Sequence, residues 1–536
     1  MLEFIKILRT LEATHSPVHL KEGPMLRERF LRTGMVWSMW VLGIVGSVGT
    51  AMASKKDNTL NIAWEKELET LDLYYNTARE GIIVSHLIYD TLFYRDPKTN
   101  EYLPLLATSY KWIDDTTMEI KLRTGVKFHN DEVFDADDVV FTINYVTNPD
   151  NKVLVQQNVA WMERAEKTDS TTVRIYLKRP FPAALEYLSN YVPIYPNEYY
   201  SKVGSKGFGA KPIGTGPYKV QQVEPGKSIV FVRNESYFKD GPKGYPSIEK
   251  IVQRTIPEVN TKLAELITGG LDWVWQVPPD QMEKLAKVPH LRVIPAETMR
   301  VGFLYMDASG RSGPNPFQKL EVRRALNHAI DREAMAKKLV GGQSRVIHTA
   351  CFPTQFGCTD EGAMRYEYNP DKAKSLLAQA GYPDGFEVDL YAYRERPYAE
   401  AVVGYLKAVG IKANLQFMQY AAMRDKWHAG KASLGYWTWG SYSINDCSAI
   451  TGYWFKFGPD DYARDEQVKE WLELADATVD PQKRKEYYGL ALRRIAEQAY
   501  WVPLFSYVSN YAFHKDLEFE PHPDEVPRFY KAKWRF

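Results

Sequence analysis

The chain is short of cysteine, of net charge and of long apolar runs. It has three cysteines in 536 residues, and none of the histidines beyond residue 53 falls at metal-ligand spacing with another, which excludes a zinc knuckle. Lys and Arg number 68 against 67 Asp and Glu, a formal net charge of +1, and this gives no electrostatic footprint for nucleic acid. After the N-terminal stretch no long apolar run returns, so the chain is not a multi-span membrane protein. Neither an H-E-x-x-H pair nor a nucleophile elbow occurs, which removes the plainest signatures of an exported hydrolase. Facing carboxylates in a cleft would leave no such signature. Phosphate loops are missing as well. Gly214-Thr215-Gly216 lacks a third glycine and a following helix, and Gly226-Lys227-Ser228 lacks the glycine five positions earlier.

What remains is a soluble composition, 45% hydrophobic and 25% charged, in a chain too long for one core, so two or three lobes are expected. Arg27, Arg29 and Arg32 precede an apolar run over 35–48 and then Ala51-Met52-Ala53. A basic segment, a short apolar core and an A-x-A site form a secretory signal, with cleavage expected after Ala53 and Met25 as the true start. Residues 1–24 make a poor n-region. The mature chain is then close to neutral and the protein is expected in the periplasm. In an oxidising compartment Cys351 and Cys358, with six residues between them in a Pro/Gly-containing loop, are expected to join, and Cys447 is left as a small buried hydrophobe.

Along the chain, 94–212 reads as an α+β block. It has a hairpin over 109–123 across Asp114-Asp115, and a helix opened by Asp135 with Asp138 three residues on. A strand over 249–256, a helix over 258–268 and a strand over 271–275 make a βαβ unit. The second half repeats that grammar more clearly: strand 386–393, helix 398–409, strand 411–419, helix 421–428, strand 433–439. Short links between them mean parallel strands with right-handed crossovers, and ligands bind beyond the carboxyl ends of such strands. Trp501 opens a last strand, 501–513, whose neighbour should be 301–307. A lobe inserted between two strands, with its own parallel sheet, is a hinged clamshell.

Two loops meet at that rim. One carries Arg394, Arg396 and Tyr398. The other, 434–450, carries Trp437, Trp439, Tyr442, Asn445 and Asp446 among glycines and serines. Flat apolar faces beside a few polar groups suit a small solute, and two guanidiniums suit an anionic or zwitterionic one. Taken alone, the arginines could equally be a solvated loop paired with Glu395, and the aromatics a buried strand end. No catalytic residue, cofactor or metal is expected.

Four stretches, 106–142, 212–220 (PIGTGPYKV), 322–335 (VRRALNHAIDREAM) and 368–386 (YNPDKAKSLLAQAGYPDGF), resemble the peptide/nickel family 5 of extracellular solute-binding proteins of ABC importers. The resemblance implies an α/β, periplasmic-binding-protein-like clamshell of the three-domain type. Domain I would be 54–93, 213–300 and 507–536, domain II 94–212, and domain III, the mobile lobe, 301–506. It also implies a monomer that binds a small peptide-like or opine-like solute and delivers it to a membrane permease. Arg396-Pro397-Tyr398 is similar to the segment by which dipeptide-binding members meet a ligand carboxylate. Tyr442 stands where those members carry the aspartate for the ligand amine, so an ordinary peptide amine has no partner unless Asp446 reaches in. Modified peptides, metal chelates and short sugars stacked on Trp437 and Trp439 stay open.

Overall fold

The computed structural model describes residues 53–76, 78–154 and 156–536; the expected signal segment and Met25 lie outside them. Among the described residues no helix is long and apolar enough to cross a membrane. A mixed sheet of ten strands organises the chain. From one edge its order is Ile411–Phe417, Phe386–Ala392, Leu434–Trp439, Leu291–Met306, Trp501–His514, Trp273–Trp275, Thr59–Trp64, Lys250–Thr255, Ser228–Arg233 and Tyr218–Glu224.

Its middle is a pair of long antiparallel strands, Leu291–Met306 and Trp501–His514, of 16 and 14 residues. Their register breaks between Glu297 and Val301. Before the break, Leu291 to Glu297 pair with His514 back to Val508; beyond it, Val301 to Tyr305 pair with Ser506 back to Trp501. The same stretch of the first strand takes Leu434–Trp439 on its other edge. The last strand therefore has the expected neighbour. A ladder with a gap in the middle bends there, because the unpaired residues no longer fix the twist.

On one side of the break the alternation of strand and helix follows the sequence pattern. Phe386–Ala392 runs parallel to both Ile411–Phe417 and Leu434–Trp439. The helix Arg396–Ala408 crosses between the first two, starting with Pro397 in its first turn and burying Ala399, Val402 and Leu406. Truncating a buried leucine of this kind costs about 2–5 kcal/mol. Val409 follows as C-cap, and the turn into the next strand needs Gly410, whose φ is 95°.

On the other side the first βαβ unit is wider than the sequence suggests. Lys250–Thr255 and Trp273–Trp275 are not neighbours; Thr59–Trp64 lies between them, parallel to both. A separate antiparallel sheet holds Ala107–Asp114, Thr117–Leu122, Thr172–Leu177 and Met162–Asp169. Beside it the helix Ala136–Thr147 opens with the expected box, Asp135 and Asp138 each capping the other's backbone. The Gly214-Thr215-Gly216 turn is a packing device. A side chain at Gly214 or Gly216 would strike the Ile88 backbone at 2.1 or 2.4 Å, where the helix Arg79–Ile88 ends.

Candidate functional site

Strand Leu434–Trp439 is buried along its whole length, and it ends in a turn that strains the backbone. Ser441, Tyr442 and Ser443 have φ of 50°, 50° and 64°, which costs of order 1 kcal/mol or more apiece for residues with a side chain. The strain is held by bonds from remote parts of the chain. Arg79 Nη1 donates to Ser443 Oγ (2.5 Å) and to the Asp524 carbonyl (2.9 Å), and Ser443 Oγ donates to that same carbonyl (2.6 Å). Arg95 Nη2 donates to the Ser443 carbonyl (3.2 Å), and the Asn445 N–H to Glu186 Oε1 (2.8 Å). Beneath lies a buried ionic lattice: Arg95 pairs with Glu186 (2.7 Å) and Asp524 (2.9 Å), and Arg528 with Asp524 (2.7 Å). Burial alone would raise the Asp524 carboxyl, but Arg528 and Arg95 outweigh it and hold it well below the usual range.

Above this lattice stands a second charged group. Arg79 and Arg300 both face Glu525, at 3.3 and 3.7 Å. Arg300 occupies the register break of the long strands, and its Nη1 reaches Thr438 Oγ1 at 3.3 Å. Burial lowers the pKa of its guanidinium; Glu525 opposes this, while Arg394 and Arg79 add to it. Burial raises Glu525, yet Arg79, Arg300 and Arg394 together pull it below its ordinary value. Arginines from both sides of the break thus share one carboxylate. Gly440 closes on them: a Cβ there would stand 3.1 Å from Arg300 Nη2 and 3.5 Å from Arg79 Nη2.

The residues expected from sequence are distributed differently. Arg394 is part of this group, near enough to act on Arg300 and Glu525, although its own ion pair is with Glu395 and its guanidinium lies 5.7 Å from the Tyr507 ring. Arg396 lies outside the group in this structure. The helix begins at this residue, so its side chain runs along the outer face to Glu400 one turn on (2.8 Å), 57% exposed, and over the Phe417 ring. Tyr398 packs on Phe505 and Tyr507. Trp437 is 2% exposed among Tyr393, Trp427 and Trp454. Trp439 lies against Tyr453, ring centroids 4.1 Å apart, with Tyr442 edge-on and 39% exposed. Both indoles are buried against other aromatic rings in this structure. Asn445 is buried and its side-chain oxygen faces Thr354. Asp446 is buried: Arg484 grips both its oxygens at 2.7 and 2.8 Å, and Ser448 donates to it.

Cys351 and Cys358 are joined, and Cys447 is free and buried. The loop between the first two lies against the turn. The Phe356 N–H donates to the Asn445 carbonyl (3.0 Å), its carbonyl accepts from Cys447, and Gln355 Nε2 donates to the Ile444 carbonyl. Among the described residues no group of three or more His, Cys, Asp or Glu could hold a metal ion.

A sheet bent at two through-going strands, with charged side chains from both sides meeting at the bend, is the architecture of a two-lobed binding protein. The chain belongs to the bacterial extracellular solute-binding proteins, family 5, whose Middle model matches residues 101–461. It is 28% identical over 493 residues to the glutathione-binding protein GsiB of Salmonella paratyphi A, covering 88% of this chain and 94% of that one. Among solved structures it is similar to the ABC transporter substrate-binding protein CtaP of Listeria monocytogenes, with a TM-score of 0.80 at 22% identity, covering 89% and 99% of the two chains. It is also similar to AgaA of A. tumefaciens R10, solved with agropinic acid, with a TM-score of 0.71 at 25% identity and coverage of 89% and 99%.

Proposed function

We propose that this chain is the solute receptor of an ABC importer. It works in the periplasm as a monomer, closes on a small peptide-like or opine-like solute and presents it to a membrane permease. It performs no chemistry on that solute. In this reading the lobes are the domains expected from sequence: 54–93, 213–300 and 507–536 with 94–212 on one side, and 301–506 as the moving lobe. The observation that carries the proposal is the register break at Glu297–Val301, with Arg79 and Glu525 contributed from one side of it and Arg394, Thr438 and Gly440 from the other. A solute touching both sets favours the closed form by its differential affinity for the two states. The glutathione named for GsiB and the agropinic acid bound by AgaA support a solute of this size and polarity.

The test is native mass spectrometry of the protein purified from its own source, to identify the solute it carries, followed by titration of that solute into protein refolded without it. A chain that carries no solute and binds none from a panel of peptides, opines and sugars would rule the reading out.

A further inference from the structure

The charges at the seam do not balance. The lattice and the group above it bring together five guanidiniums, Arg79, Arg95, Arg300, Arg394 and Arg528, and four carboxylates, Glu186, Glu395, Asp524 and Glu525. The neighbouring Asp446 and Arg484 cancel. Three of the arginines have close partners: Arg95 and Arg528 in the lattice, Arg394 on Glu395. Arg79 has Ser443, a carbonyl and, at 3.3 Å, Glu525. Arg300 has least. Its side chain is 16% exposed, its one hydrogen bond is at 3.3 Å and its carboxylate is at 3.7 Å; its buried Nε, like those of Arg95 and Arg528, has no hydrogen-bond partner among the described residues. An arginine carries five donors in a fixed fork, and leaving such a group buried and unmatched is costly. Gly440 points the same way. Its φ of −109° suits any residue, so glycine serves here by leaving the guanidinium uncrowded.

Resting on the solute-receptor reading, we infer that the solute is a net anion whose carboxylate is held by Arg300, with Arg79 and Arg394 flanking it. The fork geometry selects a planar two-oxygen acceptor, which a carboxylate supplies and a hydroxyl or amide does not. Glu525 keeps the site from accepting a second negative charge at the same point, so a singly charged solute fits best. The position at the bend couples the two events: an anion that draws Thr438 and Gly440 onto Arg300 also sets the angle of the strands.

The test uses the full mature chain, its Arg300→Gln and Arg300→Lys variants, and two probes, glutathione and its diethyl ester, besides the solute extracted from the native protein. Glutathione carries two carboxylates and one ammonium; the ester carries neither carboxylate. By calorimetric titration the acid form should bind wild type, Arg300→Gln should weaken it at least about 100-fold, equal to about 2.7 kcal/mol, and Arg300→Lys should fall between. The ester should bind none of them. Without any solute, Arg300→Gln should melt at or above wild type, because it removes an unmatched buried charge. A lower melting temperature for solute-free Arg300→Gln overturns the inference and makes Arg300 a structural residue. An extracted solute with no carboxylate, or one that binds Arg300→Gln as well as wild type, also overturns it while leaving the receptor reading intact. Protein that carries no solute and responds to no probe defeats the receptor reading itself, and this inference with it.

Discussion

At the scale of single residues, the informative positions are those whose identity the backbone does not require. Gly440→Ala adds one methyl carbon 3.1 Å from Arg300 Nη2, closer than ordinary van der Waals contact, and 3.5 Å from Arg79 Nη2, without a forbidden φ. We expect solute affinity to fall about tenfold, about 1.4 kcal/mol, with little change in melting temperature, as read by titration and thermal denaturation. Arg396→Ala should do the opposite of what its Arg-Pro-Tyr setting suggests. It removes an exposed i,i+4 pair with Glu400, worth about 0.3–0.5 kcal/mol, and should leave the dissociation constant within about threefold. A larger loss would mean that the guanidinium swings into the seam when solute binds. The sequence marks the loops of this rim and one arginine of the cluster, Arg394. It does not mark Arg79, Arg300 or Glu525. They come from a helix start, a strand interior and the C-terminal segment, and no local spacing connects three such sites.

Among elements, the parallel unit was legible because its strands are short, glycines at 410 and 430 mark the ends of its two crossover helices, and the links are short. The 440–447 turn was not, since its shape depends on Glu186, Asp524 and Phe356 rather than on its own residues. Phe356 belongs to the loop closed by Cys351 and Cys358, which makes that loop a brace. Labelling of unfolded, unreduced protein should find Cys447 as the sole free thiol. Replacing both bonded cysteines by serine should lower stability in urea by roughly 2–3 kcal/mol and speed amide exchange over 440–447. Unchanged exchange there would argue against the brace. A second tie joins the 212–220 turn to the neighbouring block. His129 Nε2 lies 2.9 Å from the Gly216 carbonyl and its Nδ1 faces the Gly214 N–H at 3.3 Å, an arrangement only the neutral ring satisfies. Burial pushes its pKa down to about 4. The unfolded chain, titrating near about 6.5, therefore binds the extra proton first as pH falls. Stability from this site is intact above that value and is lost progressively down to about pH 4, by about 3 kcal/mol. Wild type should lose that much relative to His129→Gln between pH 7 and pH 4 in urea titrations; parallel profiles would show that the ring is not held neutral.

For the molecule as a whole, hydrogen bonds join the proposed lobes: Arg79 to Ser443 and Asn445 to Glu186. Small-angle scattering should give a smaller radius with saturating solute than without, and equal radii would exclude opening at Glu297–Val301. The sheet has a further consequence, for the order in which the chain can fold. Thr59–Trp64 is the first strand of the described chain, and it is hydrogen-bonded on both edges, to Lys250–Thr255 and to the strand at Trp273. A chain that emerges N-terminus first must carry that strand unpaired until both partners have followed. Trp273–Trp275 in turn needs Tyr511 to Phe513, close to the C-terminus. Pairings separated this far along the chain form slowly, and the central sheet cannot close before nearly the whole polypeptide is available. The topology therefore delays closure of the central sheet, though not of the separate sheet at 107–177, until the C-terminal strand is present.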